Sequence, residues 1–240
     1  MVGYKNTLPF LYGLESRKDR FELLLNVPSS CLQYFDSGEA DVALVPVGAI
    51  LGREDIDVIT NFCIGCEGKV HTVCLSTNDE IKNLNKVYLD AHSRTSQLLV
   101  KTLLHHYWKQ SVEFEEVEVD TLDLRNLEDG AGVLMIGDKV FTHEKKFRNN
   151  HDLGQVWEEV TGLPFVFAVW IAKENQGGTI EDELNQVLKI GLDDIPKVVK
   201  HYQGEADKTL INYLENNIDF NFTPKKRNAL KLFQRLVNEL

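Results

Sequence analysis

The sequence predicts an α/β protein of two units followed by a helical tail, and three observations carry that prediction. Val87 to Lys101, VYLDAHSRTSQLLVK, runs from a buried strand through a hydroxyl-rich turn into a helix start. Val87, Tyr88 and Leu89 are strand formers, and Leu98, Leu99, Thr102 and Leu103 recur at helical spacing. Ala40 to Val47 is a nearly continuous apolar run, the pattern of a strand buried on both faces of a parallel sheet. From Thr179 onward the sequence is helical. With 43% hydrophobic and 26% charged residues in 240, the chain has the apolar surface for a substantial core, which argues against disorder.

In chain order, Met1 to Tyr4 reads as the end of a strand, and Lys5-Asn6-Thr7 as the turn into a helix over Leu8 to Leu14, where Pro9 suits the first turn. Phe21 to Val27 reads as a second strand. Pro28-Ser29-Ser30 then opens a helix carrying Cys31, Leu32 and Phe35 that stops at Gly38. The Ala40 run completes a β-α-β-α-β first half. Val58 to Cys63 is a further strand and Gly65 to Gly68 a flexible turn. Lys69 to Ser76 alternates polar and apolar as an exposed or antiparallel strand would, and reads as a crossover between domains. After Asn83-Leu84-Asn85 the rhythm restarts with the Val87 stretch, continues through Glu113 to Val119, and reaches Ala131 to Asp138. Leu153 to Thr161 is a helix ended by Gly162, and Leu163 to Ala172 an aromatic-rich strand that carries the chain back. The tail divides into helices over 180–192, 195–202, 208–218 and 223–240, the last with Thr223 as cap, Pro224 at the first position and Leu230, Phe233, Leu236 and Val237 on one face. The expected domains are 1–75 with 170–240, and 76–169.

The formal net charge of −11 argues against a general affinity for nucleic acid or acidic membranes, so an anionic ligand needs a locally positive site. No charged segment followed by an apolar one opens the chain, and no apolar run approaches the ~18 residues of a membrane span; a cytoplasmic protein is expected. Of the four cysteines, Cys63 and Cys66 have CxxC spacing. A zinc site would want a second pair or histidines, and a redox pair would open a helix after a strand; neither context is present, so buried, reduced thiols are expected. His105 and His106 adjoin on a helix and face different ways, against a shared metal. There is no GxGxxG, GxxxxGK[ST], GxSxG or HExxH.

Ser93, Thr95 and Ser96 sit where a new helix leaves its first N–H groups unpaired beside the positive end of its dipole. That is a seat for an anion, or simply a cap with extra hydroxyls. Two α/β units joined by two crossover strands make a cleft. The loops expected to face it are Lys5 to Thr7, Pro28 to Ser30, Gly68 to Thr72, His92 to Ser96, and Gly137-Asp138. They are rich in hydroxyls and poor in carboxylates, which suits a small polyanion held by N–H groups, hydroxyls and Lys5, Lys69 or Arg94, with Phe165, Phe167 and Trp170 as apolar walls. Ser29 and Ser30 read first as caps and then as ligand contacts. Asp138, at the carboxyl end of a buried strand, reads as a ligand contact or a helix cap.

Taken together, YKNTLPFLYGL, GEADVALVPVG, LDAHSRTSQLLVKTLL, LMIGDKVF and DLGQVWEEVTGLPFVFAVW, in order from Tyr4 to Trp170, resemble the chorismate dehydratases of the futalosine pathway of menaquinone biosynthesis. The resemblance implies a two-domain type II periplasmic-binding-protein fold with a ligand cleft between domains. It also implies an enzyme that converts chorismate to 3-[(1-carboxyvinyl)oxy]benzoate and water without metal or cofactor, and its partner is the small dicarboxylate substrate. A homodimer is left open. Residue by residue it places Asn6 and Thr72 beside the leaving hydroxyl or ring carboxylate, and Ser93, Thr95 and Ser96 on a carboxylate. Thr7, Ser29, Ser30, Gly68, Val70, His71, Arg94, Asp138 and Phe165 complete the substrate contacts. Arg94 reads equally as a brace to Asp90. The proton acceptor is His71, Asp138 or a carboxylate of the substrate itself. Three departures stand out: the family opens with a few more residues before Tyr4, so the first strand here reads as clipped; Thr72 replaces a serine; and CIGC lies outside the pattern. The competing readings are a non-catalytic small-anion binding or sensor protein of the same fold, and the sister enzyme that forms 1,4-dihydroxy-6-naphthoate.

Overall fold

The computed structural model describes residues 4–26 and 28–240, without the side chains of Pro28, Ser29, Ser30 and Thr179. The chain forms two compact units, Met1–Gly65 with Val166–Pro224, and Cys66–Phe165 with Lys225–Leu240. The expected strand at Met1 to Tyr4 lies outside the described residues apart from Tyr4.

The first unit opens with a 3-10 turn, Lys5–Thr7, leading into α1 (Leu8–Glu15). Thr7 ties the turn back to the Tyr4 carbonyl, donating from N at 3.0 Å and from Oγ1 at 2.8 Å. Phe21 to Val27 does not form the expected strand. Among the described residues, 21–25 are not part of a strand, Asn26 is a single bridge residue and Val27 lies outside the described residues; Phe21 and Leu23 are half-buried while Leu24 and Leu25 are exposed. α2 (Pro28–Asp36) buries Cys31 and Phe35 and is followed by Gly38 at φ +79°. β1 (Val42–Pro46) and β2 (Ile56–Cys66) follow.

The chain then builds the second unit. β3 (Val73–Thr77) and β4 (Lys86–Asp90) precede α3 (Arg94–Leu103), which continues as a π-helical turn, Leu104–Trp108, and stops at Lys109 in the left-handed conformation. β5 (Glu113–Val117), β6 (Ala131–Ile136), α4 (Asp138–His143), β7 (Asn149–Asp152) and α5 (Leu153–Thr161) complete the series. Gly162, at φ +70°, gives its N–H to the Glu158 carbonyl at 2.7 Å and ends α5 where expected. β8 (Phe165–Lys173) returns to the first unit, which adds α6 (Gly178–Leu192), α7 (Ile195–Gln203), α8 (Lys208–Asn216) and the short β9 (Asp219–Asn221). α9 (Pro224–Val237) ends the fold.

Among the described residues the strands form two sheets, ordered β1-β8-β2-β9 and β5-β4-β6-β3-β7. The apolar run at Ala40 to Val47 does become a strand with a buried middle, but it pairs antiparallel with β8, Val42 opposite Ala172 and Pro46 opposite Ala168. Burial on both faces reports layers above and below a strand, not its direction, so the parallel reading does not hold. In the second sheet β4 lies parallel to β5 and β6, while β3 runs antiparallel to β6 and β7. β3 is buried at every residue, because it is an interior strand and not an exposed one.

α9 groups with the second unit and not, as the tail was expected to, with the first. Phe233 packs edge-on against Trp157 at 5.8 Å and Phe165 at 5.0 Å, and the Leu236 carbonyl lies 2.9 Å from His106 Nε2. In the first unit Phe10, 0% exposed, sets its ring against Trp170 at 5.8 Å and Phe220 at 5.4 Å. α1 and α6 meet there backbone to backbone. A Cβ on Gly13 would stand 2.1 Å from the Val187 carbonyl oxygen, and one on Gly191 1.9 Å from that of Pro9.

Candidate functional site

At the start of α3, Ser93 has extended backbone angles, and its Oγ accepts the Ser96 N–H at 3.3 Å while donating to Ser96 Oγ at 2.8 Å. It is therefore the N-cap. Thr95 and Ser96 are 2% and 1% exposed, so their hydroxyls are turned inward at this turn rather than set in open solvent. Arg94 is exposed and forms no ion pair with Asp90. The Asp90 carboxylate, 0% exposed, instead accepts the His92 N–H at 3.1 Å and pairs with Lys139 Nζ at 2.9 Å. The expected Arg94 brace fails because Arg94 leaves the first turn of α3 outward, and Lys139 arrives from α4, 49 residues after Asp90.

Asp138 is the first residue of α4, with Gly137 at φ +61° as the N-cap, so the carboxylate of Asp138 sits in the first turn and is exposed. The Gly137 N–H is given to the Thr72 carbonyl at 2.8 Å. His71, at φ +71°, tilts its ring 5.1 Å from that of Phe141 in α4. Three of the expected loops, Gly68 to Thr72, His92 to Ser96 and Gly137-Asp138, are thus joined within the second unit, through Gly137 to Thr72 and through Lys139 to Asp90. In the first unit Asn6 lies half-buried in the 3-10 turn and Thr7 is 1% exposed. The side chains of Ser29 and Ser30 lie outside the described residues. Phe165, 1% exposed between Trp157 and Phe233, is core, and Trp170, at 3%, is part of the Phe10 cluster. Neither offers a wall to a ligand.

Asp152 escaped the reading of the sequence. Its carboxylate, 5% exposed, accepts Val70, Gly154 and Gln155 N–H on Oδ1 at 3.1 Å each, and His71 N–H on Oδ2 at 2.6 Å. Asp three residues before Gln is a helix-start signature that would have exposed half of this role. The bonds to Val70 and His71, some eighty residues away, leave no local trace.

All four cysteines are buried, and none is joined in a disulfide. Cys63 Sγ lies 3.9 and 3.7 Å from the Asp219 and Asn221 carbonyls. Burial pushes the Cys66 thiol far up, with the Asp152 carboxylate adding to the effect, and pushes Cys74 up to about 12, again with Asp152 adding. Thiols held this high are not nucleophiles. Among the described residues no group of three or more His, Cys, Asp or Glu could hold a metal ion, and no helix is long and apolar enough to cross a membrane. Replacing Cys63 and Cys66 together by serine is expected to leave turnover intact per folded molecule. Assay of the folded fraction checks this, and loss of activity in a well-folded double variant would give CIGC a chemical role.

The two sheets with their helices give the chain a periplasmic-binding-protein-like fold. The fold is similar to that of a protein of Archaeoglobus fulgidus of known crystal structure, with TM-score 0.77 and 13% identity over 100% of this chain and 95% of that one. It is also similar to the periplasmic aliphatic sulphonate binding protein SsuA of Escherichia coli, with TM-score 0.59 and 12% identity over 99% of this chain and 90% of that one. By sequence, the chain belongs to the menaquinone biosynthesis family, which it matches over residues 1–239. It is 30% identical to a chorismate dehydratase of Thermus thermophilus in an alignment covering 70% of this chain; that match spans 66% of the relative's length.

Proposed function

We propose that the protein is a hydro-lyase that removes water from chorismate, giving 3-[(1-carboxyvinyl)oxy]benzoate for menaquinone biosynthesis. The observation that carries this reading is the 30% identity to a chorismate dehydratase within the menaquinone biosynthesis family. The local chemistry supports it. The reaction is a 1,2-elimination in which the C3 proton and the C4 hydroxyl leave and the ring becomes aromatic, so no electron is gained or lost. The protein must hold two carboxylates and stabilise a departing hydroxide, which oriented hydrogen-bond donors do electrostatically. In this reading the N–H groups at the start of α3, with Ser93, Thr95 and Ser96, receive a substrate carboxylate. Asn6 and Thr72 stand beside the leaving hydroxyl or the ring carboxylate. Thr7, Gly68, Val70, His71, Arg94 and Asp138 belong to segments that contact the substrate, as do Ser29 and Ser30. Phe165 is left out because its ring is buried in the core.

The test is incubation of purified protein with chorismate alone. Mass spectrometry should show a product lighter by one water. Unchanged chorismate that nevertheless binds tightly would overturn the enzyme reading in favour of a binding protein.

A further inference from the structure

We propose that Asp152 is a positioning residue for this elimination: its buried carboxylate holds Gly68 to Thr72 in the conformation that presents the Thr72 hydroxyl to the substrate. The inference rests on the functional reading above, in which Thr72 contacts the reacting molecule. Its basis is the convergence of four N–H groups from two distant segments on one carboxylate. Two of them, from Gly154 and Gln155, are the unpaired donors of the first turn of α5, and a serine or asparagine would cap them as well. The other two come from Val70 and His71, immediately before Thr72.

The second of these bonds needs a carboxylate. Oδ1 already serves three donors, so only a second acceptor oxygen can take the His71 N–H, and it does so at 2.6 Å. His71 has φ +71°, a region a residue with a side chain rarely adopts, and the bond to Oδ2 fixes its N–H in that conformation. The segment also packs closely on its surroundings. Gly68 is left-handed at φ +79°, and a Cβ on Gly154 would stand 2.6 Å from Cys66 Sγ and 2.9 Å from the Gly68 carbonyl oxygen. The chain from Cys66 to Gly68 therefore lies directly on the start of α5. At its far end Thr72 is fixed by the Gly137 N–H on its carbonyl. Asp152 and Gly137 thus hold the segment at two points, and Thr72 is its last residue before β3.

Asp152→Asn separates positioning from capping. The amide keeps Oδ1 as acceptor for Val70, Gly154 and Gln155 and sets an NH2 donor against the His71 N–H, so the lesion falls on His71 and Thr72 while α5 remains capped. With chorismate as substrate, kcat is expected to fall by about 10²-fold, the cost of misplacing a group by about 1 Å, with a smaller change in KM. Adding Thr72→Ala to Asp152→Asn should cost less than about a twofold further loss, since both remove the same contact. Amide hydrogen exchange should quicken at His71 in Asp152→Asn and stay slow in α5. Wild-type protein that leaves chorismate unchanged would overturn the functional reading and the role resting on it. Active wild type with unaltered Asp152→Asn kinetics, or with fully multiplicative losses in the double variant, would overturn the Asp152 role alone. So would unchanged exchange at His71.

Discussion

Gly191→Ala is expected to be severely destabilising, lowering stability by about 3 kcal/mol or more. The added Cβ would stand 1.9 Å from the Pro9 carbonyl oxygen and 2.7 Å from its carbonyl carbon, both backbone atoms of α1 that no rotamer change can move. Either α1 backs away from α6 or the helices distort, and in both cases the fit around fully buried Phe10, next to Pro9, is lost. For a chain of this size the loss corresponds to a fall in melting temperature of about 6–12 °C. Gly178→Ala is the matched control: it also lies in α6, but nothing stands within 4 Å of its Cβ position, and alanine favours the helix. Thermal denaturation of the two variants decides the matter. A Gly191→Ala protein that melts with the wild type would mean that α1 and α6 do not meet backbone to backbone.

Asn6→Ala is expected to lower kcat by ~10²-fold or more, the loss seen when an oriented donor to developing charge is removed, and to change KM less. Asn6 is half-buried in a turn held by Thr7 and Tyr4, so truncating it leaves the turn's own hydrogen bonds in place. Ser96→Ala should behave differently. A carboxylate contact exists in ground and transition states alike, so its loss raises KM with little effect on kcat. Ser96 is also 1% exposed and accepts from Ser93 Oγ, so this variant should in addition lose about 1 kcal/mol of stability. Measuring kcat, KM and melting temperature for both variants checks the division of roles. Identical kinetic profiles, or wild-type turnover in Asn6→Ala, would refute it.

Residues that neighbour one another along the chain made much of this protein legible in its sequence. Ser93 could be identified as a cap candidate because a cap and the N–H it serves lie within three residues. The ends of α2 and α5 were visible in Gly38 and Gly162, since only a residue without Cβ enters the left-handed region freely. The four helices after Thr179 were legible from their periodicity, and the buried state of Cys63 and Cys66 from the lack of any ligand partners nearby. Phe21 to Val27 misled because strand propensity reports fit to a half-buried pleated surface, and Leu24 and Leu25 are exposed here.

What the sequence by itself determined is the class of fold, the place of each main helix and the hydroxyl-rich start of α3, all of them consequences of interactions a few residues apart. Only the tertiary structure decided the rest: the antiparallel pairing of β1, the grouping of α9 with the second unit, Lys139 and not Arg94 on Asp90, and Asp152 beneath Val70 and His71. Each of these joins groups tens of residues apart or more. A buried carboxylate takes whichever cation or N–H the fold delivers to it, and nothing in the local order of residues says which that will be.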